Sequence, residues 1–152
     1  MKVLVIGSGG REHAIAYALS KSPNVDEIYA IPGNPGIAEI GTCHKGSVED
    51  LDGILKFVEE NNIDFTVIGP EVPLCMGLAD LLESRGHKVF GPKKEAAILE
   101  GSKAYSKKFM ERHNIPTAFS IEVNDYNNAV DALKKFSYPL VIKADGLAAG
   151  KG

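Results

Sequence analysis

The first ninety or so residues alternate short apolar runs with amphipathic stretches, the pattern of a parallel sheet covered by helices. Residues 3–6 are continuously apolar, which predicts a buried strand. Residues 11–21 predict a helix with Ile15, Ala18 and Leu19 inward, stopped before Ser22-Pro23-Asn24. Residues 28–31 predict a second strand. Pro32-Gly33-Asn34-Pro35-Gly36 follows, a segment expected to continue neither helix nor strand. Another short strand is expected around residues 38–42. Ser47, with Asp50 three residues later, reads as a helix cap in which an acid replaces the usual Glu or Gln. The helix it opens carries Leu51, Ile54, Leu55 and Val58 on one face. Residues 65–68 predict a third strand, 74–84 a helix and 88–90 a fourth strand.

Past Gly91-Pro92 the pattern changes to a short helix through Leu99, then a second helix over residues 103–113 opened by Gly101-Ser102. Two further strands are predicted at 117–123 and 140–144, with a helix over 125–136 between them. The expected organisation is α/β. A doubly wound, Rossmann-like parallel-sheet domain spans residues 1–92, a linker 93–101, and the beginning of a second domain 102–152. The chain stops one residue past a lysine in a glycine-rich loop, which reads as a fragment.

Composition narrows the classes. A content of 44% hydrophobic and 24% charged residues is ordinary for a globular protein. A net charge of −3 leaves no electrostatic footprint for nucleic acid or an anionic membrane. No apolar run approaches the ~20 residues a membrane span needs, so a cytoplasmic protein is expected. Cys43 and Cys75 lie far apart without a Cys-x-x-Cys partner, which predicts structural thiols rather than a metal pair.

Two glycine loops carry the candidate chemistry. Gly7-Ser8-Gly9-Gly10-Arg11-Glu12-His13 joins a strand to a helix, where unobstructed backbone N–H groups meet the positive end of the helix dipole. That combination suits a phosphate, and a tight strand–helix turn is the alternative. Glu12 at the third glycine position, and a second strand ending without an acid for a ribose hydroxyl, argue against a nicotinamide dinucleotide. Ligands of open parallel sheets bind beyond the carboxyl ends of the strands. The loops at 7–13, 32–36 and 69–71 are therefore expected around one crevice. Glycine amides and Arg11 would take a phosphate there, and Asn34 and Glu71 hydroxyl or amino groups. Glu71 also fits a first-turn acid favoured by the dipole alone, and His13 a structural role.

The second loop, Val141-Ile142-Lys143-Ala144-Asp145-Gly146-Leu147-Ala148-Ala149-Gly150-Lys151-Gly152, is not a Walker A sequence. Its glycine spacing is too short, and Gly152 stands where a Ser or Thr would hold magnesium. Lys143 is the only charge of an apolar run, and so is expected either to meet an anion or to point outward from an edge strand.

Seven collinear motifs then resemble one family. They are Gly-x-Gly-Gly-Arg-Glu-His-Ala, Pro-Gly-Asn-x-Gly, Gly-Pro-Glu-Val-Pro-Leu, Val-Phe-Gly-Pro, Ala-Ala-x-Leu-Glu-x-Ser-Lys, Phe-Met-x-x-x-x-Ile-Pro-Thr-Ala and the closing glycine loop. Together they are similar to the phosphoribosylamine–glycine ligases of the ATP-grasp superfamily. The resemblance implies a pre-ATP-grasp domain followed by the truncated start of an ATP-grasp domain. It implies a carbon–nitrogen ligase of purine biosynthesis that uses ATP and Mg2+, with the metal ligands beyond residue 152. Glycine would be activated as an acyl phosphate and attacked by the amine of 5-phosphoribosylamine. By family position, Lys103 and Lys143 would contact ATP phosphates, with Gly146, Gly150 and Lys151 in a loop over them. Gly9, Gly10, Arg11, Glu12, Asn34 and Glu71 would hold phosphoribosylamine. The chain alone is expected to be inactive. A non-catalytic nucleotide-binding module and a nicotinamide-dependent oxidoreductase domain are the competing classes.

Overall fold

The computed structural model describes residues 1–147, and within them five parallel strands make one sheet. They are β1 (Lys2–Gly7), β2 (Glu27–Pro32), β3 (Thr42–Cys43), β4 (Phe65–Ile68) and β5 (Val89–Phe90), in the order β3-β2-β1-β4-β5. The central strand, β1, has Val3, Leu4, Val5 and Ile6 fully buried, because a parallel sheet is covered on both faces. Leu4 and Ile6 enter one core with Ile54, Val58, Leu78 and Leu82, and Val5 enters the other with Ala16, Ala30 and Ile37. Successive side chains on a strand point to opposite faces, so one apolar run feeds both layers.

The chain forms two compact units, Met1–Ala97 and the segment from Ile98 onward. The first carries α1 (Gly10–Ser20), α2 (Pro35–Ala38), α3 (Leu51–Glu60), α4 (Glu71–Met76) and α5 (Leu78–Ser84). With helices against both faces, it is the doubly wound α/β domain that the alternating runs predict. The helix α6 (Lys94–Gly101) places Ala97 in the core of this unit. Among the described residues, no helix is long and apolar enough to cross a membrane.

Local expectations needed correction where side chains compete for the same role. The inward stripe of α1 is Glu12, Ile15, Ala16 and Leu19, and Ala18 is exposed. The apolar count missed it because a carboxylate occupies one position of the buried face. Pro35 opens a helical turn capped by the Asn34 side chain, since proline at N1 needs no N–H partner. The expected strand at 38–42 shrinks to Thr42–Cys43. Asp50, not Ser47, is the N-cap of α3, accepting from Gly53 N–H, and Ser47 Oγ accepts from Glu49 N–H instead. The helix expected over 74–84 is two helices, α4 beginning at Glu71, broken at Gly77 with φ +98°.

The second unit contains α7 (Lys103–Arg112) and α8 (Tyr126–Leu133). The strands expected at 117–123 and 140–144 are not formed, and neither segment has a ladder partner among the described residues. A strand needs a neighbour to satisfy its backbone groups, and apolar alternation alone does not supply one.

Candidate functional site

The strand order reverses at β1, where the chain leaves towards β2 on one side and returns to β4 on the other. In open α/β sheets, the place beyond the carboxyl ends of the strands at such a switch point, here those of β1 and β4, is where ligands bind. Gly69 N–H donates to Ile6 O (3.0 Å) and Gly33 N–H to Gly7 O (3.1 Å), so backbone bonds knit the three expected loops together.

Each side chain expected in this crevice has a defined place. Asn34 Oδ1 accepts from Ile37 N–H (2.9 Å), while Nδ2 donates to Ser8 O (3.0 Å) and Gly9 O (3.3 Å). One residue therefore caps α2 and ties its loop to the first glycine loop, leaving one Oδ1 lone pair uncommitted. Arg11 is exposed, and its Nε–H donates to Glu12 Oε1 (2.9 Å) with Nη2 3.9 Å from Glu71 Oε2. The guanidinium thus stands between α1 and the first residue of α4. Glu12 is buried, and its Oε2 accepts from Gly9 N–H (2.7 Å). Gly9 and Gly10 are exposed at the start of α1. His13 has a packing role against Gly36, where an added Cβ would lie 2.7 Å from its Nδ1.

In the second unit, Ser102 caps α7 by accepting from Tyr105 N–H (3.0 Å). Asp145 crowns the same turn, accepting from Ala104 N–H (3.1 Å) and Ser102 Oγ–H (3.0 Å). These bonds, led by the Ala104 N–H, hold the Asp145 carboxyl below the usual aspartate range against a smaller opposing effect of desolvation. Lys103 Nζ donates to Gly146 O (2.7 Å), which brings these two residues together. Lys143 is exposed and makes no hydrogen bond or ion pair among the described residues. Gly150 and Lys151 lie outside the described residues. Sequence reading missed Asp145, whose partners are more than forty positions away and leave no local signal. Both cysteines are thiols in packing positions: Cys43 Sγ donates to Asn34 O and Cys75 Sγ to Ala97 O.

Residues 1–100 match the family described as Phosphoribosylglycinamide synthetase, N domain. Residues 101–152 match Phosphoribosylglycinamide synthetase, ATP-grasp (A) domain. The chain belongs to the phosphoribosylglycinamide synthetase family. Among relatives named phosphoribosylamine–glycine ligase, that of Agrobacterium fabrum is 52% identical and that of Caldanaerobacter subterraneus 49%, each over the whole chain. The crystal structure of phosphoribosylamine–glycine ligase from Thermotoga maritima is 41% identical, with a TM-score of 0.79 over the whole chain. The chain spans about a third of these synthetase relatives, 36% of the two sequences and 35% of the structure. The family resemblance carried by the seven motifs is thus confirmed, and the α/β domain is the synthetase N domain.

Proposed function

We propose that this chain forms part of a cytoplasmic ligase that joins glycine to 5-phosphoribosylamine at the expense of ATP, giving glycinamide ribonucleotide, ADP and phosphate. The observation that carries the reading is the match of the whole chain, in order, to phosphoribosylamine–glycine ligases at about half identity. A carboxylate is a poor electrophile. ATP supplies the phosphoryl group that converts the glycine carboxylate to an acyl phosphate, and the ribosylamine nitrogen then displaces phosphate from the acyl carbon.

In this reading the switch-point crevice holds phosphoribosylamine. Gly9, Gly10 and Arg11 bound the place for its phosphate, with Glu12 buried behind them. Asn34 and Glu71 offer acceptors to its hydroxyl and amino groups. The basic groups of the second unit suit the phosphates of ATP: Lys103 begins α7, Lys143 is exposed, and Gly146, with φ +93°, has open space where a Cβ would lie. Gly150 and Lys151 follow it in the sequence and would serve the same phosphates. No group of three or more His, Cys, Asp or Glu able to hold a metal ion occurs among the described residues, so no step through magnesium is assigned to them.

The test uses a protein joining this chain to the remainder that its relatives possess. ADP release should require ATP, glycine and phosphoribosylamine together, and the 152-residue chain alone should give none. Lys143→Ala should lower kcat/KM for ATP about ten- to a hundredfold, the loss of one charge-assisted hydrogen bond, without changing the KM for glycine. An unchanged kcat/KM for ATP would remove Lys143 from the site. Tight binding of NAD, with no binding of ribose 5-phosphate, would overturn the assignment of the crevice.

A further inference from the structure

Glu12 is the only charged residue buried among the described residues, at 4% exposure. A carboxylate leaves water at a large cost unless hydrogen bonds replace its hydration, so its burial requires built partners. Two are present: Gly9 N–H at 2.7 Å on Oε2 and Arg11 Nε–H at 2.9 Å on Oε1. The space is built as well. A Cβ added at Gly7 would lie 2.6 Å from Glu12 Cγ, one at Gly9 2.8 Å from Oε2, and one at Gly69 2.6 Å from Cδ. Gly7 ends β1, Gly9 lies in the turn that follows it, and Gly69 lies in the turn after β4. The room left by three glycines of two loops is therefore filled by the protein's own carboxylate.

This arrangement changes which groups are available to a ligand. Gly9 N–H is already donated inward. The next two amides, Gly10 and Arg11 N–H, make no hydrogen bond among the described residues. Arg11 remains 61% exposed while its Nε is held by Glu12 and its Nη2 lies 3.9 Å from Glu71. A negative Glu12 touching a phosphate directly would repel it, whereas behind Arg11 it fixes the direction of the guanidinium.

Resting on the reading of the crevice as a phosphoribosylamine site, we propose that Glu12 is a positioning residue that binds no substrate. It locks the turn after β1 to the turn after β4, absorbs the Gly9 amide and aims Arg11, so that Gly10 N–H, Arg11 N–H and the Arg11 guanidinium hold the substrate phosphate. The glycines at 7, 9 and 69 serve this carboxylate rather than the ligand.

The experiment compares two probes on the 152-residue chain, inorganic phosphate and ribose 5-phosphate, by calorimetry. In Glu12→Gln the amide oxygen accepts from only one of the two donors and the amide NH2 opposes the other. Both probes should weaken by the same factor, about tenfold or more. Gly69→Ala keeps every charge but fills the carboxylate's space, and should reproduce that loss. Weakening of ribose 5-phosphate alone would overturn the proposal, because it would place Glu12 on the ribose hydroxyls. A readout without ligand accompanies these: hydrogen exchange at Arg11 Nε–H and Gly9 N–H, slow in the parent chain and fast in Glu12→Gln. Equal exchange in parent and variant would also overturn the proposal. If the parent chain binds neither probe, the assignment of the crevice fails, and exchange still decides whether Glu12 is the clamp.

Discussion

Asp145 places one negative charge on the first turn of α7, where the helix dipole and unsatisfied N–H groups favour an anion. It thereby fixes the base of the second glycine loop, and Lys103 adds a bond to the carbonyl of Gly146. Its carboxyl titrates below the ordinary aspartate range, chiefly because Ala104 N–H donates to the charged form. A folded pKa below the unfolded one means that the carboxylate contributes fully above the ordinary value, about 3.9, and loses its contribution as pH falls through the lowered one. The Ala104 amide resonance should therefore shift with a midpoint below that of an exposed aspartate. Asp145→Asn should abolish the transition, and a midpoint at the ordinary value would show that the cap is absent in solution. Asn34 and Asp145 each bond to a segment brought close by the fold, whereas Glu12 takes its donors from its own turn and meets the other loop only by packing against Gly69. Their residue types are visible in the sequence, but only their partners give them a role.

At the scale of elements, strands and helix faces with dense local signals were legible. Residues 65–68 are a strand as the apolar run predicts, and Ile54, Leu55 and Val58 form the buried face of α3. Boundaries failed where capping was decided by geometry, as in the choice of Asp50 over Ser47 and the break at Gly77. Gly77 shows which effect governs such a break. An added Cβ would find ordinary space, its nearest atom being Lys94 Cδ at 3.6 Å, so neighbours do not forbid a side chain. The backbone does, because φ is +98°. Gly77→Ala should cost about 1–2 kcal/mol in urea denaturation from backbone strain alone. A neutral substitution would mean that α4 and α5 merge into one helix when the glycine is removed.

The whole molecule distributes its burial unevenly. Among the described residues, the buried ones all lie within the first unit, and none in α7 or α8 is buried. Leu4, fully buried between β2 and β4, should therefore control stability: Leu4→Ala should cost about 2–5 kcal/mol. Val141 is 78% exposed, and Val141→Ala should stay within about 0.5 kcal/mol. Equal costs for the two, measured by denaturation of the same chain, would refute this division.

The sequence by itself determined the α/β class, the four principal strands, the family, and the residue types gathered at the switch point. These are written locally, in apolar runs of strand length, in glycine-rich turns and in motifs of fixed order. It did not determine that Glu12 would fill the space left by Gly7, Gly9 and Gly69, that Asn34 would join two loops, or that 117–123 and 140–144 would remain unpaired. Those outcomes depend on groups distant in the chain. A carboxylate is buried only where another segment leaves room for it, as Gly69 does for Glu12, and an apolar run becomes a strand only beside a partner, so tertiary structure decided both.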